Sequence, residues 1–208
     1  MFWLFIAVLL WGTLHTILAS LKAKVFALRW FGKSKEHFHR LAYNLVAVIS
    51  FLPVLAIAAM TPDRRLYLAP LPWSALMGFG EFLAVVTLVV AFRQTDAWEF
   101  LGLRQLMGTV SSEKPEGALE TKQGRLVTTG VYRYVRHPLY SAGLAFIWLL
   151  PLMTVNVLAI NSALTIYIVV GAYFEERKLR GEFGREYGDY ADVTPMFIPF
   201  LKGNKSPR

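Results

Sequence analysis

Pro138-Leu-Tyr-Ser-Ala-Gly-Leu-Ala-Phe-Ile-Trp-Leu-Leu-Pro151-Leu-Met-Thr-Val-Asn156-Val-Leu-Ala-Ile-Asn-Ser-Ala-Leu-Thr-Ile-Tyr-Ile-Val-Val-Gly-Ala-Tyr-Phe174 contains no Asp, Glu, Lys or Arg. At 37 residues it is too long for one bilayer crossing and just long enough for two of about 17 each, the short end of the spanning range. Pro151 and Asn156 mark a turn inside it, so the stretch reads as a tight helical hairpin. Three further uncharged or nearly uncharged runs precede it, at about 2–20, 41–60 and 73–92, the last carrying Glu81. With hairpin spans at about 138–153 and 156–174, the fold class is an all-α membrane protein of five transmembrane helices.

Composition agrees. The chain is 55% hydrophobic and 17% charged, below the quarter expected of a soluble domain. No linker of Gly, Ser or Pro divides it, so residues 1–208 are expected to form one integral-membrane domain. The first apolar run begins at Phe2 with no charged residues before it, the pattern of a retained span rather than a cleaved signal. The net charge of +8 flanks apolar runs instead of marking one polar face, which argues against nucleic acid and for topology signals. Lys and Arg crowd three segments: after span one, after span three and after span five. An outside N-terminus and a cytoplasmic C-terminus, in a prokaryotic inner membrane, put all three inside and make 93–137 and 175–208 cytoplasmic. Cysteine is absent, which excludes disulfides, thiolate metal sites and a cysteine nucleophile; no metal site is expected.

The hairpin is entered through Arg133-Tyr-Val-Arg-His137 and left through Glu175-Glu176. A tight hairpin returns both carboxylates to the side of His137, facing Arg133 and Arg136. Arginines at span ends commonly snorkel to headgroups, and the acids would serve equally as their structural partners. The same cluster also suits a ligand of both signs bearing hydroxyls, such as S-adenosylmethionine. Its carboxylate would seek Arg or backbone N–H groups, its amino and hydroxyl groups Glu, and its adenine the nearby Tyr faces. Downstream, Glu175, Leu179, Phe183 and Tyr187 fall four apart on one helical stripe, interrupted by Gly181, Gly184 and Gly188. Thr194 to Pro199 forms a proline-bounded apolar segment expected at the bilayer surface. Inside the spans, His15 and Glu81 are ionisable and so functional candidates; Gly78 and Gly80 beside Glu81 suggest close helix packing. Phosphate-loop, HExxH and serine-elbow motifs are absent.

"GVYRYVRHPLYSAG" (Gly130 to Gly143) with "EERKLRGEFGREYGDYADVTPMFIP" (Glu175 to Pro199) resembles the integral-membrane methyltransferases typified by isoprenylcysteine carboxyl methyltransferase. "LHTILAS" (Leu14 to Ser20), "HRLAYNLVA" (His39 to Ala47) and "DAWEFLGLRQL" (Asp96 to Leu106) resemble the NnrU and methanethiol S-methyltransferase branch within it. The resemblance implies an S-adenosylmethionine site in the C-terminal hairpin and cytoplasmic segments, with contacts from Tyr132, His137, Pro138, Tyr140, Gly143, Glu175 and Glu176; the charge and aromatic pattern adds Arg136 and Tyr187 to the cofactor-binding candidates. It also implies a lipophilic or small-molecule acceptor reaching the site from membrane lipid. A thiol acceptor reacts as thiolate, for which Arg104, Arg133 and His15 are the candidate catalytic residues. S-methylation is the favoured expectation and methylation of an isoprenylcysteine-type carboxylate its close rival. A phospholipid N-methyltransferase and a non-catalytic, NnrU-like transport or assembly factor are the alternatives.

Overall fold

The structure, a computed structural model, describes residues 2–18, 20, 25–26, 36–95, 121–122 and 125–201. Six helices are present among them: α1 (Phe2–Leu18), α2 (Glu36–Met60), α3 (Trp73–Gln94), α4 (Pro138–Trp148), α5 (Val155–Phe183) and α6 (Arg185–Val193). Four short strands accompany them, β1 (Arg65–Leu68), β2 (Thr121–Lys122), β3 (Arg125–Leu126) and β4 (Leu152–Thr154), and a 3-10 turn covers Gly130–Arg133. Strands β2 and β3 pair antiparallel.

The five apolar runs read from the sequence are helical, and the protein is an all-α integral membrane protein. Among the described residues, three helices are long and apolar enough to cross a bilayer: Leu41–Met60 within α2, then α3, then α5. Their outer faces present large apolar side chains, among them Val48, Ile49, Leu52, Phe79, Phe82 and Val89, all exposed, as suits a hydrocarbon solvent. Helices α1 and α4 are shorter. The expected span at 138–153 is helical only to Trp148. Pro151 lacks an N–H and pushes Leu150 out of the helical region, so the chain runs through Leu149 and Leu150 into β4.

The chain divides into two compact units. The first holds α1, α2 and the opening of α5 as far as Tyr167. Leu4, Val8, Val54 and Ala163 form its buried core, with Phe51 and Ile160 packed against them. Gly12 is required there, because a Cβ would lie 2.7 Å from Cδ2 of Tyr167. The start of α5 is capped from a distance in sequence: Asp63 accepts the N–H groups of Arg64 (2.8 Å) and Asn156 (3.0 Å). An anion at a helix N-terminus satisfies orphan donors and opposes the helix dipole. These bonds, first the one from the Thr154 side chain, hold the Asp63 carboxyl below its usual value.

The second unit holds α3, the 3-10 turn, α4, α5 from Ile168, and α6. Ala91, Tyr132 and Leu139 make one buried cluster, closed by Leu88, Phe92, Val127 and Val131. Of the two glycines expected to allow close packing, Gly80 does so, since a Cβ there would meet Leu149 at 2.6 Å; Gly78 faces open space. Gly184 (φ 53°) ends α5 and starts α6, so the expected single stripe is cut there. Leu179, Tyr187, Tyr190 and Ala191 close a second cluster around the break.

Candidate functional site

The site grows from the Pro138 end of α4. Pro138 is the first helical residue, where a missing N–H costs nothing. Just before it, the backbone of Arg136 and His137 pairs with the chain beyond α6: Arg136 N–H donates to Pro195 O (2.8 Å) and His137 N–H to Met196 O (3.1 Å). Ser141, one turn into α4, donates through Oγ to Phe197 O at 2.7 Å. The proline-bounded segment read from the sequence thus seats against the entry of α4 and locks the Arg136–His137 backbone.

That lock turns Arg136 inward. Its Nε donates to Glu176 Oε1 at 2.6 Å, and its Nη1 donates to Ala191 O at 3.0 Å and to Thr194 O. His137 Nε2 lies 3.1 Å from the same Oε1, and the Tyr187 hydroxyl donates to it at 2.9 Å. Arg136, His137, Glu176 and Tyr187 are all buried. Burial alone would raise the Glu176 carboxyl, but the bonds from His137, Arg136 and Tyr187 and the Arg136 charge overcome it, pushing the group down to about 2. Glu176 lies past Phe174, where the uncharged part of α5 has ended. Charge-assisted bonds of this kind are the short, strong ones.

All three donors converge on Oε1. Oε2 accepts no hydrogen bond from the described residues. Beside it in sequence, half-buried Glu175 accepts from the Tyr140 hydroxyl at 2.7 Å. The Tyr140 ring stacks on His137, centroids 5.4 Å apart at 17°. Among the described residues, nothing lies within 4 Å of a Cβ placed on Gly143, one turn beyond Tyr140 on α4. Tyr132 is fully buried, its carbonyl accepting from the Tyr190 hydroxyl at 2.6 Å.

Of the residues singled out in sequence, Tyr132, Arg136, His137, Pro138, Tyr140, Gly143, Glu175, Glu176 and Tyr187 therefore all lie in this unit; Arg136, His137, Glu176 and Tyr187 share one hydrogen-bonded network, and Tyr140 and Glu175 form a separate bond. Arg133 is exposed, with Cζ 5.1 Å from the Tyr134 ring centroid and Nη2 donating to the Tyr134 hydroxyl at 3.0 Å. Arg104 lies outside the described residues. His15 belongs to the first unit. The Tyr167 hydroxyl lies 2.6 Å from its Nδ1 and the Tyr43 hydroxyl 2.7 Å from its Nε2, while Trp11 packs on the ring at 5.3 Å. Ser141, Ala191 and Thr194 were not foreseen as contributors to the site. Their contributions run largely through backbone carbonyls, which leave no residue-type signature.

Chemically, the network presents an oriented carboxylate oxygen, a second carboxylate held by a phenol, and a stacked imidazole–phenol pair. Residues 114–188, the stretch that carries all of this, match the model of the phospholipid methyltransferase family. The chain is similar to a methanethiol S-methyltransferase of Crocosphaera subtropica, 38% identical over 122 residues, covering 59% of this chain and 45% of that one. It is 30% identical over 166 residues to one of Pseudomonas deceptionensis, covering 79% and 59%. A protein-S-isoprenylcysteine O-methyltransferase of Arabidopsis thaliana is 37% identical over 83 residues, covering 37% and 41%. The chain is similar to these methyltransferases, which by their names act on methanethiol or on isoprenylcysteine. It spans about half to two thirds of the length of the methanethiol enzymes it matches. No solved structure matches it.

Proposed function

We propose that the protein is a membrane methyltransferase using S-adenosylmethionine, with a small or lipophilic thiol as acceptor. The observation that carries the reading is the Glu176 carboxylate: three donors fix one oxygen, and among the described residues none claims the other. A structural ion pair would be served as well by sharing donors over both oxygens. A free, oriented oxygen in a buried acidic group is what a cofactor amine or ribose hydroxyl requires. Glu175, aimed by Tyr140, offers a second acceptor, the His137–Tyr140 stack offers an aromatic face, and the flank at Gly143 offers room among the described residues. In this reading Arg136 and Tyr187 position Glu176 rather than contact the cofactor.

The cofactor supplies an electrophilic sulfonium methyl group. The protein's part is to align that methyl with the nucleophile and exclude water, which together contribute most of the rate in such transfers. Glu175 and Glu176 fix the amine and hydroxyl side, and the wall of α4 orients the ring. The thiol preference rests on the names of the methanethiol S-methyltransferases to which the chain is similar; an isoprenylcysteine-type carboxylate is the close second. Isothermal titration of the full chain in nanodiscs with S-adenosylmethionine tests the site. Glu175→Gln is expected to weaken binding about tenfold while Arg177→Gln, an exposed neighbour on α5, leaves it unchanged. No heat of binding by the wild-type protein, or equal binding by Glu175→Gln, defeats the reading.

A further inference from the structure

A groove lies in the same unit, with Leu126 of its wall packed against the cluster of Leu179, Tyr187, Tyr190 and Ala191. The end of α3 and the segment from β3 to the 3-10 turn enclose a groove of about 450 Å³ lined by Arg93, Gln94, Arg125, Leu126, Val127, Thr128 and Thr129. None of these is acidic, and among the described residues no carboxylate pairs with either guanidinium. The polar lining is dominated by donors. Gln94 is fixed because its Oε1 accepts the Val131 N–H at 3.1 Å, which leaves its NH₂ to donate elsewhere. Gly130 permits that arrangement: it sits at φ 63°, and a Cβ there would collide with the Gln94 amide. Two guanidiniums, an oriented amide and two threonine hydroxyls form a constellation for an oxyanion with several acceptor oxygens.

We propose that this groove binds a phosphate-type anion. Its place in the fold favours an anionic phospholipid headgroup as the source. α3 is a 22-residue apolar helix, about 33 Å long at 1.5 Å per residue and so matched to a bilayer core. Arg93 occupies its last turn, the depth at which headgroup phosphates lie. Leu126 and Val127 add an apolar wall beside the cationic end, as a glycerol-linked lipid requires and a free ion does not. The proposal does not depend on methyl transfer.

Native mass spectrometry of the full chain, released from nanodiscs of phosphatidylcholine with one quarter phosphatidylglycerol, reads the site. The wild-type protein is expected to retain one phosphatidylglycerol per chain. Arg93→Gln and Arg125→Gln, made singly, are each expected to lower that retention at least tenfold, and Arg177→Gln, with the same loss of charge outside the groove, to leave it unchanged. Each variant's apparent melting temperature is recorded alongside; a variant that does not fold is replaced by Thr128→Val. Inorganic phosphate at millimolar concentration is the second arm. Displacement of the lipid by phosphate, or phosphate binding lost in both groove variants, assigns the same chemistry to a soluble source. Equal retention by the groove variants, or an equal loss in Arg177→Gln, overturns the proposal.

Discussion

Replacing Glu176 by Gln keeps the side-chain shape but removes the charge on which Arg136, His137 and Tyr187 converge. The carboxyl sits at about 2 against an ordinary 4.5. At about 1.4 kcal/mol per pH unit, that gap corresponds to roughly 3 kcal/mol of folding stability. It agrees with the cost of removing one partner of a buried ion pair, about 3–5 kcal/mol, since among the described residues Arg136 would keep only neutral acceptors: the Gln amide oxygen and the carbonyls of Ala191 and Thr194. For a chain of this size, about 2–4 °C per kcal/mol translates to a loss of roughly 6–12 °C in apparent melting temperature, followed by tryptophan fluorescence in nanodiscs at pH 7. The folded-state value is depressed, so the contribution is complete above about pH 4.5 and is lost as pH falls toward 2. The gap between wild type and Glu176→Gln should therefore narrow as pH falls below about 4.5. A shift under 2 °C at pH 7, or a gap constant down to pH 3, refutes the reasoning.

Tyr187→Phe removes one of the three donors to a charged acceptor. It should cost about 1.5–3 kcal/mol, seen as a smaller fall in melting temperature than that of Glu176→Gln. Gly12→Ala places a methyl group against the Tyr167 ring and should destabilise by about 1–3 kcal/mol through overpacking, measured in the same melt. Gly130→Ala combines a left-handed backbone position with a collision on the Gln94 amide. It should lower the melting temperature and, with Gln94 displaced, weaken lipid retention at the groove.

Much of the fold was legible because lipid solvent imposes long uncharged runs, and those at Phe2, Leu41, Trp73 and Val155 all became helices. The length of α4 was not, since the run stays apolar through Leu150 while Pro151 stops the helix from three residues downstream. The Glu175–Tyr187 stripe treated the tail as one helix. Gly184 breaks it, and the buried positions become Glu176, Leu179 and Tyr187. The approach of the acidic pair to Arg136 and His137 was readable because a hairpin must bring its ends together. Which acid turns inward was not. It depends on the Pro195–Phe197 backbone seating Arg136, a long-range contact made through main-chain atoms. Likewise, Asp63 capping α5 joins residues 93 apart in sequence, beyond any local pattern. The aromatic surround of His15 comes from Tyr43 and Tyr167, on two other helices.

The most direct test is methyl transfer itself: purified chain in nanodiscs, S-adenosylmethionine labelled in its methyl group, and separate acceptors bearing a short alkyl thiol, an isoprenylated cysteine carboxylate and a phosphatidylethanolamine amine. The account predicts label in the thioether, reduced at least tenfold in Glu175→Gln at unchanged melting temperature. Label in none of the three products from a folded chain would contradict it.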